Sequence, residues 1–284
     1  LVNIAVSVRR RIARIALLNA DTLTEYTIWN LDHPDGLGDI LTGRITARIP
    51  SMAGSFVDLG NDLTGFLPDT AGANLPAGTI LTVTITRAAQ SGKGPRLAAA
   101  HEPAGAKPGL IRPGPGPLLE LAARFPAAPI TIDDYSVLAE LRRSLGTRIT
   151  HSANSFDPIL EDEIATLYAP AATLPGGAVI HIAPTPALTA IDIDSAAATT
   201  TNQLTLNTAL IPALIRQITL RNLSGAILID FVGLKSRHRP KLAAPLTLAL
   251  AADPLPTKFH GFTTLGFAEL SRPRLRPPLH EMPQ

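Results

Sequence analysis

Two apolar runs end in aspartate: Ala190-Ile191-Asp192-Ile193-Asp194-Ser195 and Gly225-Ala226-Ile227-Leu228-Ile229-Asp230-Phe231. In an extended strand, residues two apart share a face. Asp192 and Asp194 therefore project together, while Ile191 and Ile193 project to the other side. Both runs read as buried strands, and a carboxylate at the end of a buried strand is costly unless a partner answers its charge. A divalent cation is the simplest such partner. Strand-end capping and ion pairing are the structural alternatives for the same residues.

Such strands need covering elements. Between the two runs, Leu210, Leu214, Gln217, Ile218 and Arg221 recur near 3.6-residue spacing. That period predicts an amphipathic helix, with Pro212 in its first turn where a missing N–H is tolerated. Residues 179–182 read as a further strand. Upstream, residues 118–125, 136–145 and 159–168 look helical, with a strand at 130–132. Residues 1–32 alternate in a strand-like way, consistent with a β-hairpin. Residues 40–49, 55–59, 64–67 and 79–88 are short strands parted by Gly and Pro turns, as a small β-barrel requires. Residues 107–117 are so rich in Pro and Gly that no regular element is expected there. The pattern is α+β with an inserted all-β module.

Composition bounds the function classes. The chain has 284 residues, enough for one large or two modest domains, and 45% apolar with 17% charged residues is a globular balance. The sequence contains no Cys, which excludes disulfides, thiolate catalysis and any zinc site built on Cys. No run approaches the ~18–20 apolar residues that span a bilayer, and the N-terminus lacks the order of a secretory signal. A cytoplasmic protein with no membrane partner is expected. Net charge is only +2, yet Arg outnumbers Lys 20 to 5 and the cations cluster. One cluster is Arg9, Arg10, Arg11 and Arg14; a second is Lys235, Arg237, Arg239 and Lys241; a third is Arg272, Arg274 and Arg276. Guanidinium forks suit bidentate phosphate contact, so a polyanionic partner is favoured over merely solvated faces. The turn Ser91-Gly92-Lys93-Gly94 is not a nucleotide phosphate loop, because Arg87 stands where Gly is needed and Gly94 where Ser or Thr is needed. It reads instead as a basic turn that could contact a phosphate.

Three motifs then carry a resemblance. Gly38-Asp39-Ile40-Leu41-Thr42-Gly43-Arg44-Ile45-Thr46, Gly54-Ser55-Phe56-Val57-Asp58-Leu59-Gly60 and Thr64-Gly65-Phe66-Leu67-Pro68 resemble an S1-type OB-fold RNA-binding domain. Further on, Leu174-Pro175-Gly176-Gly177 and Ala187-Leu188-Thr189-Ala190-Ile191-Asp192-Ile193-Asp194-Ser195 resemble the catalytic region of the ribonuclease E/G family. So do Leu206-Asn207-Thr208-Ala209-Leu210, Leu220-Arg221-Asn222-Leu223-Ser224-Gly225, Ile229-Asp230-Phe231 and Leu265-Gly266-Phe267-Ala268-Glu269-Leu270-Ser271-Arg272. Order and spacing are kept, and with the β-module the likeness covers most of residues 1–277.

The resemblance implies an S1-type barrel (36–98) inserted near the start of an RNase H-like scaffold, whose parts are a hairpin (1–35) and a reduced portion (118–170). A linker with a degenerate sensor (99–117) and a DNase I-like catalytic subdomain (171–284) complete the order. It implies a Mg²⁺-dependent endoribonuclease, with Mn²⁺ as an alternative ion, acting on single-stranded RNA in processing or decay and leaving 5′-phosphate and 3′-hydroxyl ends. Asp192 and Asp230 match the family's metal ligands. Asp194 stands where the family has Asn, adding a third carboxylate that strengthens cation binding and repels the incoming phosphate. Phe56, Phe66 and Lys93 would guide the strand, with Arg112, Arg237, His238, Arg239 and Arg272 holding its backbone.

Three departures follow. Arg112 keeps half of the family's 5′-end sensor, but Pro113 replaces its Thr. Residues 196–201 replace a Gly-Gly stretch. The paired-Cys zinc link of the family's dimer cannot form, which leaves oligomeric state open. An RNA-binding protein on a nuclease-derived scaffold, with weak or no cleavage, is the alternative reading. His181 is expected to be structural.

Overall fold

The computed structural model describes residues 1–72, 75–196 and 202–282. The N-terminal segment is a meander of β1 (Val2–Arg9), β2 (Ile12–Asn19) and β3 (Thr22–Asn30), one strand more than the expected hairpin. Its two-residue turns, Arg10-Arg11 and Ala20-Asp21, all sit at positive φ, the geometry that matches strand twist in tight hairpins.

The chain then leaves this sheet to build a barrel from β4 (Ile40–Ile49), β5 (Gly54–Asp58), β6 (Thr64–Pro68), β7 (Ile80–Arg87) and β8 (Arg96–Ala99). Their order, β5-β6-β8-β7-β4, closes through a second pairing of β4 with β5. Leu41, Ile45, Val57, Leu59, Leu67, Val83, Ile85 and Leu97 fill its interior. Gly43 is required there, since a Cβ would lie 2.4 Å from the Val57 side chain.

The Pro/Gly-rich segment is not wholly irregular. Gly109–Arg112 forms β9 and pairs antiparallel with β4. Its prolines, Pro108 and Pro113, flank the four residues and remove no donor from the pairing.

The chain returns through α1 (Gly116–Arg124), β10 (Ile130–Ile132), α2 (Tyr135–Leu145), β11 (Ile149–His151) and α3 (Pro158–Thr166). β10 and β11 add parallel to β1, giving the order β11-β10-β1-β2-β3. On one face Leu118, Leu121, Val137 and Leu138 pack on Ile4, Val6 and Ile130. On the other, Leu160 and Ile164 pack on Ala5, Ala16 and Leu23.

The last third holds β12 (Ala171–Thr173), β13 (Val179–Pro184), β14 (Leu188–Asp194), α4 (Gln203–Leu220), β15 (Gly225–Asp230), α5 (Ala243–Leu250), β16 (Lys258–Phe262) and β17 (Ala268–Arg272). The sheet order is β12-β13-β14-β15-β17-β16, with β14 and β15 parallel and α4 as their crossover. One face buries Ile191, Ile193, Ile227 and Ile229 under Leu210, Ile211, Leu214 and Leu246 of the helices.

Pro212 is not in the first turn of α4 but in its interior. The helix starts earlier, at Asn202, whose side chain accepts from Leu204 N–H and Thr205 N–H (3.1 and 3.2 Å). An interior proline costs about 3 kcal/mol. Burial of Leu206, Leu210, Ile211, Leu214, Ile215 and Ile218 along one helix outweighs it, at roughly 1.5–3 kcal/mol per large aliphatic side chain. Among the described residues no helix is long and apolar enough to cross a membrane.

Candidate functional site

The second face of the β14–β15 sheet is open. Along β14, burial alternates strictly, with Thr189, Ile191 and Ile193 inside and Ala190, Asp192 and Asp194 outside. Asp230 is likewise exposed at the end of β15. The strands are therefore buried on one face only, and the carboxylates keep their water. Desolvation therefore does not demand a partner for them. Asp192 and Asp230 are register partners on neighbouring parallel strands, so their Cα atoms are about 4.8 Å apart and their side chains leave the same face. Like charges set directly opposite repel, and a cation relieves this.

Asp194 shares that face one pleat along. Its Oδ1 accepts the Ala196 N–H at 2.9 Å and turns the chain out of the strand. Residues 197–201, most of the stretch replacing the family's Gly-Gly, lie outside the described residues. Among the described residues, no three His, Asp and Glu side chains lie close enough to enclose an ion. The three aspartates do line one cleft of about 460 Å³, together with Ser195, Phe262 and Arg239.

Arg239 is the cation of that cleft. It follows β15 in a 3-10 stretch, Ser236–Leu242, and its guanidinium lies over Gly266, where a Cβ would be 2.1 Å from Cζ. Gly266 sits at φ +104°, so the position demands glycine twice over. Arg237 and His238 are neighbours, with the Arg237 Nε–H donating to His238 Nε2 at 3.3 Å. Partial desolvation, then the charges of Arg237, Lys241 and Lys235, hold His238 below the usual histidine range. Among the described residues neither Arg237 nor Arg239 forms an ion pair.

Asn207 holds this loop in place, a role the sequence did not disclose. It is fully buried on α4. Its Nδ2 donates to Val232 C=O (2.9 Å) and Gln203 C=O (2.7 Å), and its Oδ1 accepts from Val232 N–H (3.1 Å). The segment leaving Asp230 is thereby latched to the helix behind the sheet. The only signal was a polar residue on an otherwise apolar helical face. His181 also departs from expectation. It is exposed on β13 as the register partner of Asp192, and stands beside the carboxylates rather than in the core.

The barrel residues divide differently. Phe56 and Phe66 are register partners on β5 and β6, half-buried, with ring centroids 5.8 Å apart in an edge-to-face pair. Neither belongs to the barrel interior, so both rings form part of its outer surface. Lys93 is exposed at the tip of the β7–β8 hairpin. Arg112 is exposed on β9 and pairs with Glu102 at 3.3 Å.

Arg272 is a correction. It is buried with its partner Asp253, their side chains 2% and 0% exposed, through bonds of 2.8 and 3.0 Å. Its remaining donors meet Asn222 Oδ1 (2.8 Å) and the Leu223 carbonyl (3.1 Å). A guanidinium enclosed in this way cannot reach a nucleic acid, because a buried pair holds together only when every donor is answered internally.

Fold and site together define a mixed α+β protein. It has a closed OB-like barrel, and a separate sheet whose open face gathers carboxylates beside guanidinium groups that are unpaired among the described residues. Residues 135–275 match the model of the Ribonuclease E/G family. Ribonuclease G of Escherichia coli (strain K12) is 33% identical over 123 residues, 41% of this chain and 25% of the relative. Ribonuclease G of Haemophilus influenzae is 33% identical over 129 residues, 43% of this chain and 26% of the relative. Ribonuclease E of Escherichia coli (strain K12) is 37% identical over 128 residues, 43% of this chain and 12% of the relative. The matched part thus spans about a quarter of each Ribonuclease G and less of Ribonuclease E. The barrel lies outside the residues that match the family model.

Proposed function

We propose that the chain is a Mg²⁺-dependent endoribonuclease of RNA processing or decay, cleaving single-stranded RNA to 5′-phosphate and 3′-hydroxyl ends. The observation that carries this is the pairing of Asp192 with Asp230 on one open sheet face, with Arg239 in the same cleft. Two exposed carboxylates offering only oxygen donors fit a hard ion, Mg²⁺ or Mn²⁺, that keeps part of its water shell. Asp192 and Asp230 would hold the ion, with Asp194 auxiliary. When bound, the ion supplies charge at the scissile phosphate and eases deprotonation of the attacking water. Arg239 would fix a non-bridging phosphate oxygen, and Asn207 would keep the loop that carries Arg239 in register. Phe56 and Phe66 would stack on bases, at roughly 1–3 kcal/mol each, with Lys93 and Arg112 on the backbone.

The same reading covers architecture. The order β11-β10-β1-β2-β3 supports an RNase H-like scaffold drawn from residues 1–35 and 118–170, interrupted by an S1-type barrel at 36–98 and the linker and sensor remnant at 99–117. The strands β12 to β17 with α4 and α5 form a two-layer sheet and helix unit, which supports a DNase I-like subdomain at 171–284. The alternative, RNA binding with little cleavage, draws on Asp194. It adds a negative charge and is already engaged by Ala196.

One experiment separates the readings. Single-stranded RNA is incubated with wild type, Asp192→Ala and Asp230→Ala, in Mg²⁺ and in chelator. Cleavage by wild type in Mg²⁺ alone is expected, falling by at least about a thousandfold in each variant. Cleavage that survives both substitutions, or chelation, overturns the metal site. Binding without cleavage selects the alternative. Substrates with 5′-monophosphate and 5′-hydroxyl ends should be cut equally, since Pro113 offers no hydroxyl or N–H at the sensor position.

A further inference from the structure

Three arginines meet where the barrel touches the C-terminal segment. Arg87 ends β7, and its register partner across the hairpin is Arg96 on β8. Arg274 follows β17, and its guanidinium lies flat over Gly225, where a Cβ would be 2.3 Å from an Nη. The barrel is tied to this segment by Ala88 N–H donating to Leu275 C=O at 2.8 Å. Among the described residues, none of the three guanidinium groups has a hydrogen-bond or ion-pair partner. The Nε of Arg87 is buried and unanswered. Glu281 is the carboxylate that reaches the hairpin, and it is held instead by the N–H and Oγ of Ser91 at 2.9 Å each.

This arrangement is unfavourable by itself. Like charges directly across a strand pair repel, and a buried donor without an acceptor carries its full desolvation penalty. Burial, and then the charges of Arg96 and Arg274, weaken the hold of Arg87 on its proton. Among the described residues nothing offsets this, whereas an oxyanion would answer all three groups at once. Planar guanidinium forks pair bidentately with the non-bridging oxygens of a phosphodiester, and a nucleic-acid backbone offers successive phosphates to forks that arrive from different directions.

We infer that Arg87, Arg96 and Arg274 form a phosphodiester-binding site that clamps the backbone of single-stranded RNA at the junction of barrel and sheet. This rests on the RNA-directed reading above. The site is distinct from the carboxylate cleft: Gly225 and Asp230 are opposite ends of β15, about 17 Å apart along the strand. One strand of RNA crossing the junction would touch both. The clamp would fix the register in which RNA passes from the aromatic face to the aspartates.

The test is binding of a fluorescent single-stranded RNA to the full chain in chelator, read by anisotropy across a salt series. Wild type is compared with Arg87→Gln/Arg96→Gln and with the triple variant including Arg274→Gln. The double variant guards against loss of the packing over Gly225. Expected are an affinity lowered at least about tenfold near 0.1 M salt and a log–log salt slope shallower by about 0.7 per phosphate released. Melting temperatures should be unchanged or higher, because repulsion is removed. Wild-type affinity and slope in both variants, with wild type binding RNA, overturn the clamp. If wild type binds no RNA, the RNA reading fails instead. The site is then judged by inorganic phosphate. A phosphate-induced rise in melting temperature that the variants lose upholds an anion site, and no such rise overturns it.

Discussion

The basic segments at residues 235–241 and 272–276 look alike in sequence, each placing cations at alternate positions at or beyond the end of a strand of the same sheet. Their uses diverge. In the second, Arg272 is enclosed with Asp253 and Arg276 bonds Asp35 at 2.6 Å and Glu120 at 2.7 and 2.8 Å, and only Arg274 between them has no partner among the described residues. In the first, Arg237 and Arg239 meet no carboxylate among the described residues, and Arg239 turns into the cleft of the aspartates. The N-terminal cluster sides with the structural kind: Arg9 pairs with Asp133, Arg11 with Asp32 and Glu140, and Arg14 with Glu161. Basic patches therefore do not announce nucleic-acid contact by count. What separates them is whether the fold delivers a carboxylate, and the carboxylates come from distant parts of the chain.

The comparison can be broken most sharply at Arg272. Arg272→Ala leaves Asp253 buried without its counter-charge, and should lower stability by about 3–5 kcal/mol in urea unfolding. A loss under about 1 kcal/mol would show that the pair is dispensable and reopen Arg272 as a surface contact. Arg239→Ala should do the reverse. Its unfolding midpoint should stay within about 0.5 kcal/mol of wild type, while RNA affinity falls about tenfold, the worth of one charge-assisted hydrogen bond. A stability loss without an affinity loss would place Arg239 among the structural arginines.

The smallest effect concerns His238. Its folded pKa lies below its unfolded value of about 6.5, so the unfolded chain takes the proton more readily. Its contribution is present above pH 6.5 and lost as pH falls through the folded value. Stability of wild type should therefore decline slightly more than that of His238→Ala between pH 7.5 and 5.5. The opposite order would require an acidic neighbour and would remove His238 from the free basic group.

Much of the plan was legible in the sequence. Alternation gave four of the five barrel strands and β10 nearly to the residue, because period-two burial is imposed by a single covered face, whereas the four-residue β8 was not read. The same alternation placed Asp192 and Asp194 together. Pro212 misled, since the apolar stripe that overrides a proline is spread over five turns and is completed only by packing on the sheet. β9 was hidden by flanking prolines that do not touch its hydrogen bonds. Arg221, expected on a helix face, is buried, with its guanidinium donating to the carbonyls of Thr166, Leu167 and Ala169. Nothing local to Arg221 signals those acceptors, about 50 residues away.

Residue order alone determined which side chains share a strand face, that Gly and Pro turns part the barrel strands, and that no thiol chemistry exists here. Those are consequences of backbone geometry over a few residues. Only the tertiary structure decided that Asp192 faces Asp230, that Asn207 latches the loop behind them, and which arginines are left without a partner. Each of those depends on the register between strands or on a carboxylate arriving from elsewhere in the chain. Such pairings are fixed by the whole core and not by any local pattern.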